Sequence, residues 1–208
     1  MTLDTTRAPM TVDTVLMTLD DGVRTPLEFE TDPQLTEQLR AEIVACWTDV
    51  SNAGGAVGFV PGVSMDDVEP TAREQFAGVL AGRDRLVIGR VAAGEQAGRL
   101  AALAFLVSNS FAFTAHWQTV KRVMVHPDFQ GSGLGYRLMA ELAAVAREAG
   151  IERLHLDCRG GTGSDLFYKK CGYTEYGRIP NGLKLPERTG AAPGASPYRD
   201  LVLMALEL

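Results

Sequence analysis

With 208 residues, 46% of them apolar and 22% charged, the chain has enough material for one compact domain and too little for two. Its net charge of −6 argues against nucleic acid or an anionic membrane as the main partner, since both ask for a basic face. Met1 to Asp13 lacks a signal peptide's basic and apolar regions, no run approaches the ~18 apolar residues of a membrane span, and Cys46, Cys158 and Cys171 make neither a Cys-x-x-Cys pair nor an even framework. A soluble, unexported protein of the reducing cytoplasm is expected.

Residues 1–12 are polar and read as a flexible N-terminus ahead of a single domain over 13–208. Val15–Thr18 and Leu27–Glu30 flank Asp20-Asp21-Gly22, the pattern of a short hairpin or of a first strand with an extra one before it. Leu35, Leu39, Ile43, Val44 and Trp47 recur at helical spacing after Pro33, predicting a first helix. Asn52–Val63 is a glycine-rich loop, and Asp66–Leu80 reads as a second helix carrying Val68, Phe76 and Val79. Leu86–Val91 and Leu100–Ser108 are apolar runs around the turn-rich Ala93–Arg99, which predicts a hairpin, and Phe111–Trp117 either extends that sheet or crosses to the next strand. Strand Thr119–His126, helix Gly133–Ala149, strand Arg153–Cys158, helix Ser164–Cys171 and strand Tyr173–Arg178 follow in α/β order. A loop rich in proline and glycine over 180–197, either a lid or a mobile insertion, precedes a last strand at Arg199–Leu206.

The densest signal is Gln130-Gly131-Ser132-Gly133-Leu134-Gly135, set between a strand that stops at Pro127 and the run Leu138, Met139, Leu142, Val145, Ala146 on one helical face. A helix therefore starts inside a glycine turn. Its first N–H groups have no internal partner and carry the positive end of the macrodipole, so an anion is held there without a lysine. Spacing rules out a Walker loop and a standard Rossmann fingerprint. Arg122, Arg137, Lys169 and Lys170 add local positive charge that would favour an anionic cofactor.

This strand, turn and helix resemble the acyl-CoA motif of the GNAT superfamily of N-acetyltransferases. A second likeness follows at the expected distance in Leu154-His155-Leu156-Asp157 and in Leu166-Phe167-Tyr168-Lys169-Lys170-Cys171-Gly172-Tyr173. Leu156-Asp157, the glycine-containing loop after it and Tyr176-Gly177-Arg178-Ile179-Pro180 look most like the small-molecule acetyltransferases related to tabtoxin resistance protein; Asn52–Phe59 is more weakly similar to that group's acceptor loop. The resemblance, specific over residues 117–180, implies a GNAT fold: a single α/β (α+β) domain with a mixed, mainly antiparallel sheet flanked by helices.

It also implies acetyl-CoA as co-substrate, no metal, and a small-molecule amine as acceptor, with a homodimer left open. Backbone groups of Val123, Met124 and Val125 would meet the pantetheine and the oxyanion, and Gln130 with the amides of Gly131, Ser132, Gly133, Leu134, Gly135 and Tyr136 would meet the pyrophosphate. Tyr168 stands where these enzymes protonate the departing thiolate; a core tyrosine beside Phe167 is the plainer alternative. Many relatives have a glutamate base where this chain has Thr119, and a threonine takes no proton at neutral pH. Asp157 is the alternative carboxylate, or a loop-fixing residue; His155 shares its strand face and has a suitable pKa, though a lone strand histidine is more often a satisfied polar residue. The histidines and cysteines have no metal-ligand spacing. Acetyl transfer to a small amine is the leading expectation, with a protein N-terminus or lysine as alternative acceptor and a non-catalytic acyl-CoA-binding module as the alternative class.

Overall fold

The computed structural model describes residues 26–186 and 196–208. Seven strands, β1 (Leu27–Thr31), β2 (Arg85–Val91), β3 (Leu100–Ser108), β4 (Trp117–Val125), β5 (Arg153–Arg159), β6 (Thr174–Lys184) and β7 (Tyr198–Glu207), form one sheet in the order β1-β2-β3-β4-β5-β7-β6. All neighbours pair antiparallel except β4 and β5, which are parallel. Among the described residues four helices accompany the sheet: α1 (Glu37–Asn52), α2 (Met65–Leu80), α3 (Leu134–Glu148) and α4 (Ser164–Lys170). The mixed, mainly antiparallel α/β architecture expected from the sequence is the one observed. Residues 1–12, Val15–Thr18 and the Asp20–Gly22 turn lie outside the described residues, as does 187–195 within the expected loop.

Local chemistry sets the helix starts. The Thr36 hydroxyl accepts from Leu39 N at 3.1 Å, and Ser64 and Asp67 form a reciprocal capping box. α1 and α2 pack on one face of the sheet, where Ile43, Trp47, Val68 and Phe76 meet Leu86, Ile88, Leu103, Phe105 and Met124. α3 and α4 pack on the other face, against Leu106, Val120, Leu154, Leu156, Val202 and Met204. Strand alternation divides these two cores.

Two departures from the expected elements have physical reasons. The Phe111–Trp117 stretch belongs to the hairpin connection between β3 and β4 and contains a 3₁₀ turn at Ala112–Thr114, before β4 begins at Trp117. β6 runs on to Lys184, six residues past the expected end, because Pro180-Asn181-Gly182 is absorbed as a register irregularity against β7, with Asn181 in the left-handed region at φ 54°.

The core ties directly to the loop between α1 and α2. Trp47 is fully buried, its Nε1 donates to Val57 O at 2.9 Å, and the Arg122 guanidinium lies 5.0 Å from the ring centroid. Trp47→Phe removes that donor and should cost roughly 1–3 kcal/mol. Denaturant unfolding would show this as a lower midpoint at unchanged slope; an unmoved midpoint would mean the bond contributes nothing.

Candidate active site

β4 and β5 begin as ordinary parallel neighbours, with Trp117 opposite Arg153, Gln118 opposite Leu154 and Thr119 opposite His155. Pairing then stops, although β4 continues to Val125 and β5 to Arg159. On its other edge β4 stays bonded to β3 through Met124 and Val125. A wedge-shaped gap therefore opens inside the sheet, edged by β4 backbone that has no strand partner toward β5.

A bulge shapes the β4 side. Leu103 pairs with Met124 but Phe105 pairs with Lys121, so the strand carries an extra residue here, and Arg122 takes φ 56°. The insertion inverts the alternation: Val120 faces the α3 core, Met124 faces the α1 core, and Val123 and Val125 face α3. Arg122 Nη1 donates to Val57 O at 3.1 Å, which fixes the α1–α2 loop to the strand. Burial pulls the Arg122 pKa down, and the Asp157 charge opposes that shift.

The gap leads to the glycine turn. Pro127–Phe129 forms a 3₁₀ turn pinned by Asp128 N donating to His126 Nδ1 at 3.2 Å and by an Arg99–Asp128 ion pair of 2.8 Å. Phe129 is buried beside Leu134, and the Ser132 hydroxyl donates to Phe129 O. Gly131 and Gly133 have φ of 78° and 79°, conformations that L-residues rarely adopt, and Gly133 caps α3 with no side-chain partner. No acceptor among the described residues takes the amides of Gly131 through Gly135, whereas Tyr136 N donates to Gly133 O at 3.1 Å. Gly135 serves closeness instead: a Cβ there would lie 3.1 Å from the Phe167 ring of α4. Gln130 Nε2 donates to Val125 O at 3.0 Å, linking turn to strand.

Of the cations named from sequence, Arg122, Arg137 and Lys169 are engaged elsewhere, whereas the exposed Lys170 side chain has no hydrogen bond or ion pair among the described residues. Arg137 reaches Leu27 O at 3.3 Å and the Phe29 ring, and Lys169 pairs with Glu175 at 3.5 Å. The turn thus offers an anion mainly backbone dipoles.

Tyr168 is half-buried between Phe167 and Tyr173, with ring centroids at 5.1 and 5.9 Å. Burial pushes its phenol pKa up, as do the nearby Cys158, Cys171 and Asp157, so the group is a neutral donor near neutral pH. Cys158 is pushed up to about 11 by burial first and then by Asp165 and Asp157; Cys171 reaches about 11 and Cys46 about 12, both chiefly by burial. All three thiols stay protonated, which makes them poor nucleophiles. Among the described residues no group of histidine, cysteine, aspartate or glutamate is arranged to hold a metal.

On the face left open by α3 and α4, Asp157 Oδ1 meets Lys121 Nζ at 3.0 Å across the gap. Below that pair lies an open groove of about 590 Å³ whose walls include Trp117, His155, Thr174, Tyr176 and Ala205. Phe111 and Phe113, 60% and 81% exposed, stack edge-to-face on each other and take no part in the core. Sequence reasoning missed Lys121 and Tyr176 as neighbours of the site; the available signal for Lys121 was its alternation with Thr119 along one strand, and Tyr176, on a different strand from His155, meets it only through strand register.

Residues 79–175 match the family model described as an acetyltransferase (GNAT) domain. The fold is that of the GNAT acetyltransferases. Similar GNAT structures include yncA from Salmonella typhimurium with its cofactor acetyl-CoA, 19% identical with a TM-score of 0.62 over 88% of this chain and 94% of that one. A chimeric spermidine N-acetyltransferase SpeG from Vibrio cholerae and hSSAT is 15% identical with a TM-score of 0.63 over 87% and 95%. A ribosomal-protein-alanine N-acetyltransferase from Brucella melitensis is 20% identical with a TM-score of 0.61 over 83% and 96%. No helix among the described residues is long and apolar enough to cross a membrane.

The open amides at the glycine turn make a direct expectation. If they hold a pyrophosphate, as the resemblance implies, Gly133→Glu places a carboxylate against it and should weaken CoA binding by about 100-fold or more, ~2.7 kcal/mol. Gly133→Ala carries the left-handed strain alone, about 1–3 kcal/mol of stability, and should retain most of the affinity. Calorimetric titration of both variants checks the pair; equal CoA binding by Gly133→Glu and the unmodified protein would exclude this cradle.

Proposed function

We propose that the protein transfers an acetyl group from acetyl-CoA to a primary amine of a small molecule, by direct attack in a ternary complex. The gap between β4 and β5, running into the unpaired amides of Gly131–Gly135, is the observation that carries this reading. A pantetheine arm in the gap would use the β4 backbone at Val123, Met124 and Val125 as a strand uses its neighbour. The pyrophosphate would then lie at the start of α3, near Gln130 and Tyr136, and the thioester would face the open side of the sheet.

Direct attack is favoured over a covalent intermediate because the raised thiol pKa values leave no activated cysteine. Tyr168, neutral and close to β5, is the donor proposed for the departing CoA thiolate. Asp157 is proposed to draw in the acceptor ammonium, exchanging it for Lys121. The groove walled by Trp117 and Tyr176 suits a small, partly apolar amine. The likeness of Leu156-Asp157 and Tyr176–Pro180 to the tabtoxin-resistance-like enzymes supports the same acceptor class.

Release of free CoA thiol from acetyl-CoA, measured over a panel of amino acids, polyamines, antibiotics and peptides, tests the assignment. Turnover with one small amine is expected, and Tyr168→Phe should lower kcat by about 100-fold or more without loss of acetyl-CoA affinity. Tight binding with no release from any amine would identify an acyl-CoA-binding module instead, and peptide-only turnover would move the acceptor to proteins.

A further inference from the structure

An acceptor amine is protonated at neutral pH and must lose a proton before it can attack, so the transfer needs a base at the mouth of the gap. Thr119 cannot serve, and the Asp157 carboxylate is taken up as a counter-charge, to Lys121 at 3.0 Å in the free protein and to the acceptor ammonium once that displaces Lys121. His155 is directly opposite Thr119 in the last pair before the strands part, on the same sheet face as Asp157. It is therefore the open-face side chain of β5 at the apex of the gap. We infer that His155 takes the proton from the acceptor amine, and that Tyr176 holds its ring for that task through a hydrogen bond between Tyr176 Oη and His155 Nδ1.

The geometry is specific. Oη and Nδ1 are 2.7 Å apart, and Trp117 closes edge-on to the imidazole at 5.5 Å between centroids. With Nδ1 carrying its hydrogen and donating to Oη, Nε2 presents a lone pair. Four elements bring charged or titratable groups toward the ring: Lys121 from β4, Arg153 and Asp157 from β5, Tyr176 from β6 and Glu207 from β7. Arg153 and Glu207 are paired with each other at 2.6 Å. Burial lowers the His155 pKa, Asp157 opposes this and Lys121 reinforces it, so the imidazole is neutral and able to accept near neutral pH. Tyr176 cannot replace it, since burial raises the phenol's pKa.

The protons balance. Nε2 takes the first ammonium proton; the C–N bond then forms as the C–S bond breaks. A second proton leaves the nitrogen while the thiolate gains one, giving amide and free CoA thiol, and the imidazolium returns its proton to water. Since this rests on the proposed acetyl transfer, the test must separate the two.

The experiment is kcat/KM against pH for the unmodified protein, His155→Gln, Tyr176→Phe and Asp157→Asn, with acetyl-CoA affinity measured on each. The unmodified protein should show an acid limb. His155→Gln should lose about 100-fold or more at neutral pH and replace that limb with a rise that follows the amine's own ionisation, at unchanged acetyl-CoA affinity. Tyr176→Phe keeps the base but loses the acceptor that stabilises the imidazolium, so it should lose several-fold and move the acid limb to lower pH. Asp157→Asn should raise KM and keep the limb. His155→Gln within about threefold of the unmodified protein with its limb intact, or a limb lost only in Asp157→Asn, would overturn the assignment to His155 alone. No thiol release by the unmodified protein despite acetyl-CoA binding would overturn acetyl transfer itself, and this inference with it.

Discussion

Everything at the candidate site depends on two parallel strands that start paired and then part. A backbone N–H or C=O removed from water without a partner costs free energy comparable to a lost hydrogen bond. An internal strand that abandons its neighbour is therefore tolerated only where water or a ligand replaces the lost bonds. β4 parts from β5 while both stay bonded on their outer edges, β4 to β3 on either side of the bulge and β5 to β7 along its length. That double engagement keeps the gap from closing. The Arg122 bulge adds twist on the β4 side and turns Met124 into the α1 core, so the strand is held in its diverging path by packing as well as by hydrogen bonds.

The electrostatics are economical in a way that net charge hides. An acidic protein that is to take up a polyanion has either to concentrate cations locally or to use backbone dipoles. Arg137 and Lys169, two of the cations in or beside the GNAT-like segments, are engaged with Leu27 O and Glu175. What remains at the start of α3 is a row of amides with left-handed glycines at Gly131 and Gly133. Dipoles of this kind are fixed by the fold and need no side-chain ordering when a ligand arrives.

The sequence made local features legible and left register hidden. The glycine turn, its helix and the segment from Arg153 to Tyr173 were readable because each depends on residues close together in the chain: φ-demanding glycines, Pro127, and a 3.6-residue apolar period. The extension of β6 was not readable, because Pro180 and Gly182 are ordinary strand-stop signals and only the irregular pairing with β7 admits them. Phe111 and Phe113, apolar in sequence, are exposed on the connection before β4. The contacts Lys121–Asp157 and His155–Tyr176 span 36 and 21 residues. Each exists only because particular strands are neighbours at a particular offset, and a single sequence does not state that offset.

That offset also decides which chemistry meets which side of the sheet. Along β5 the side chains alternate: Leu154, Leu156 and Cys158 enter the core beneath α3 and α4, while Arg153 and His155 line the open groove and Asp157, on the same face, meets Lys121. The glycine turn belongs to the helix side, because α3 grows from it. A cofactor anchored there and an amine resting in the groove would stand on opposite faces of one sheet, with an opening between them where β4 and β5 separate. Slipping β5 by one residue against β4 would send its polar set into the core and leave a leucine at the apex of the gap. The apolar seam under α3 is therefore what sets the polar seam on the other face, and the packing energy of Leu154 and Leu156 holds His155 and Asp157 where the two substrates would meet.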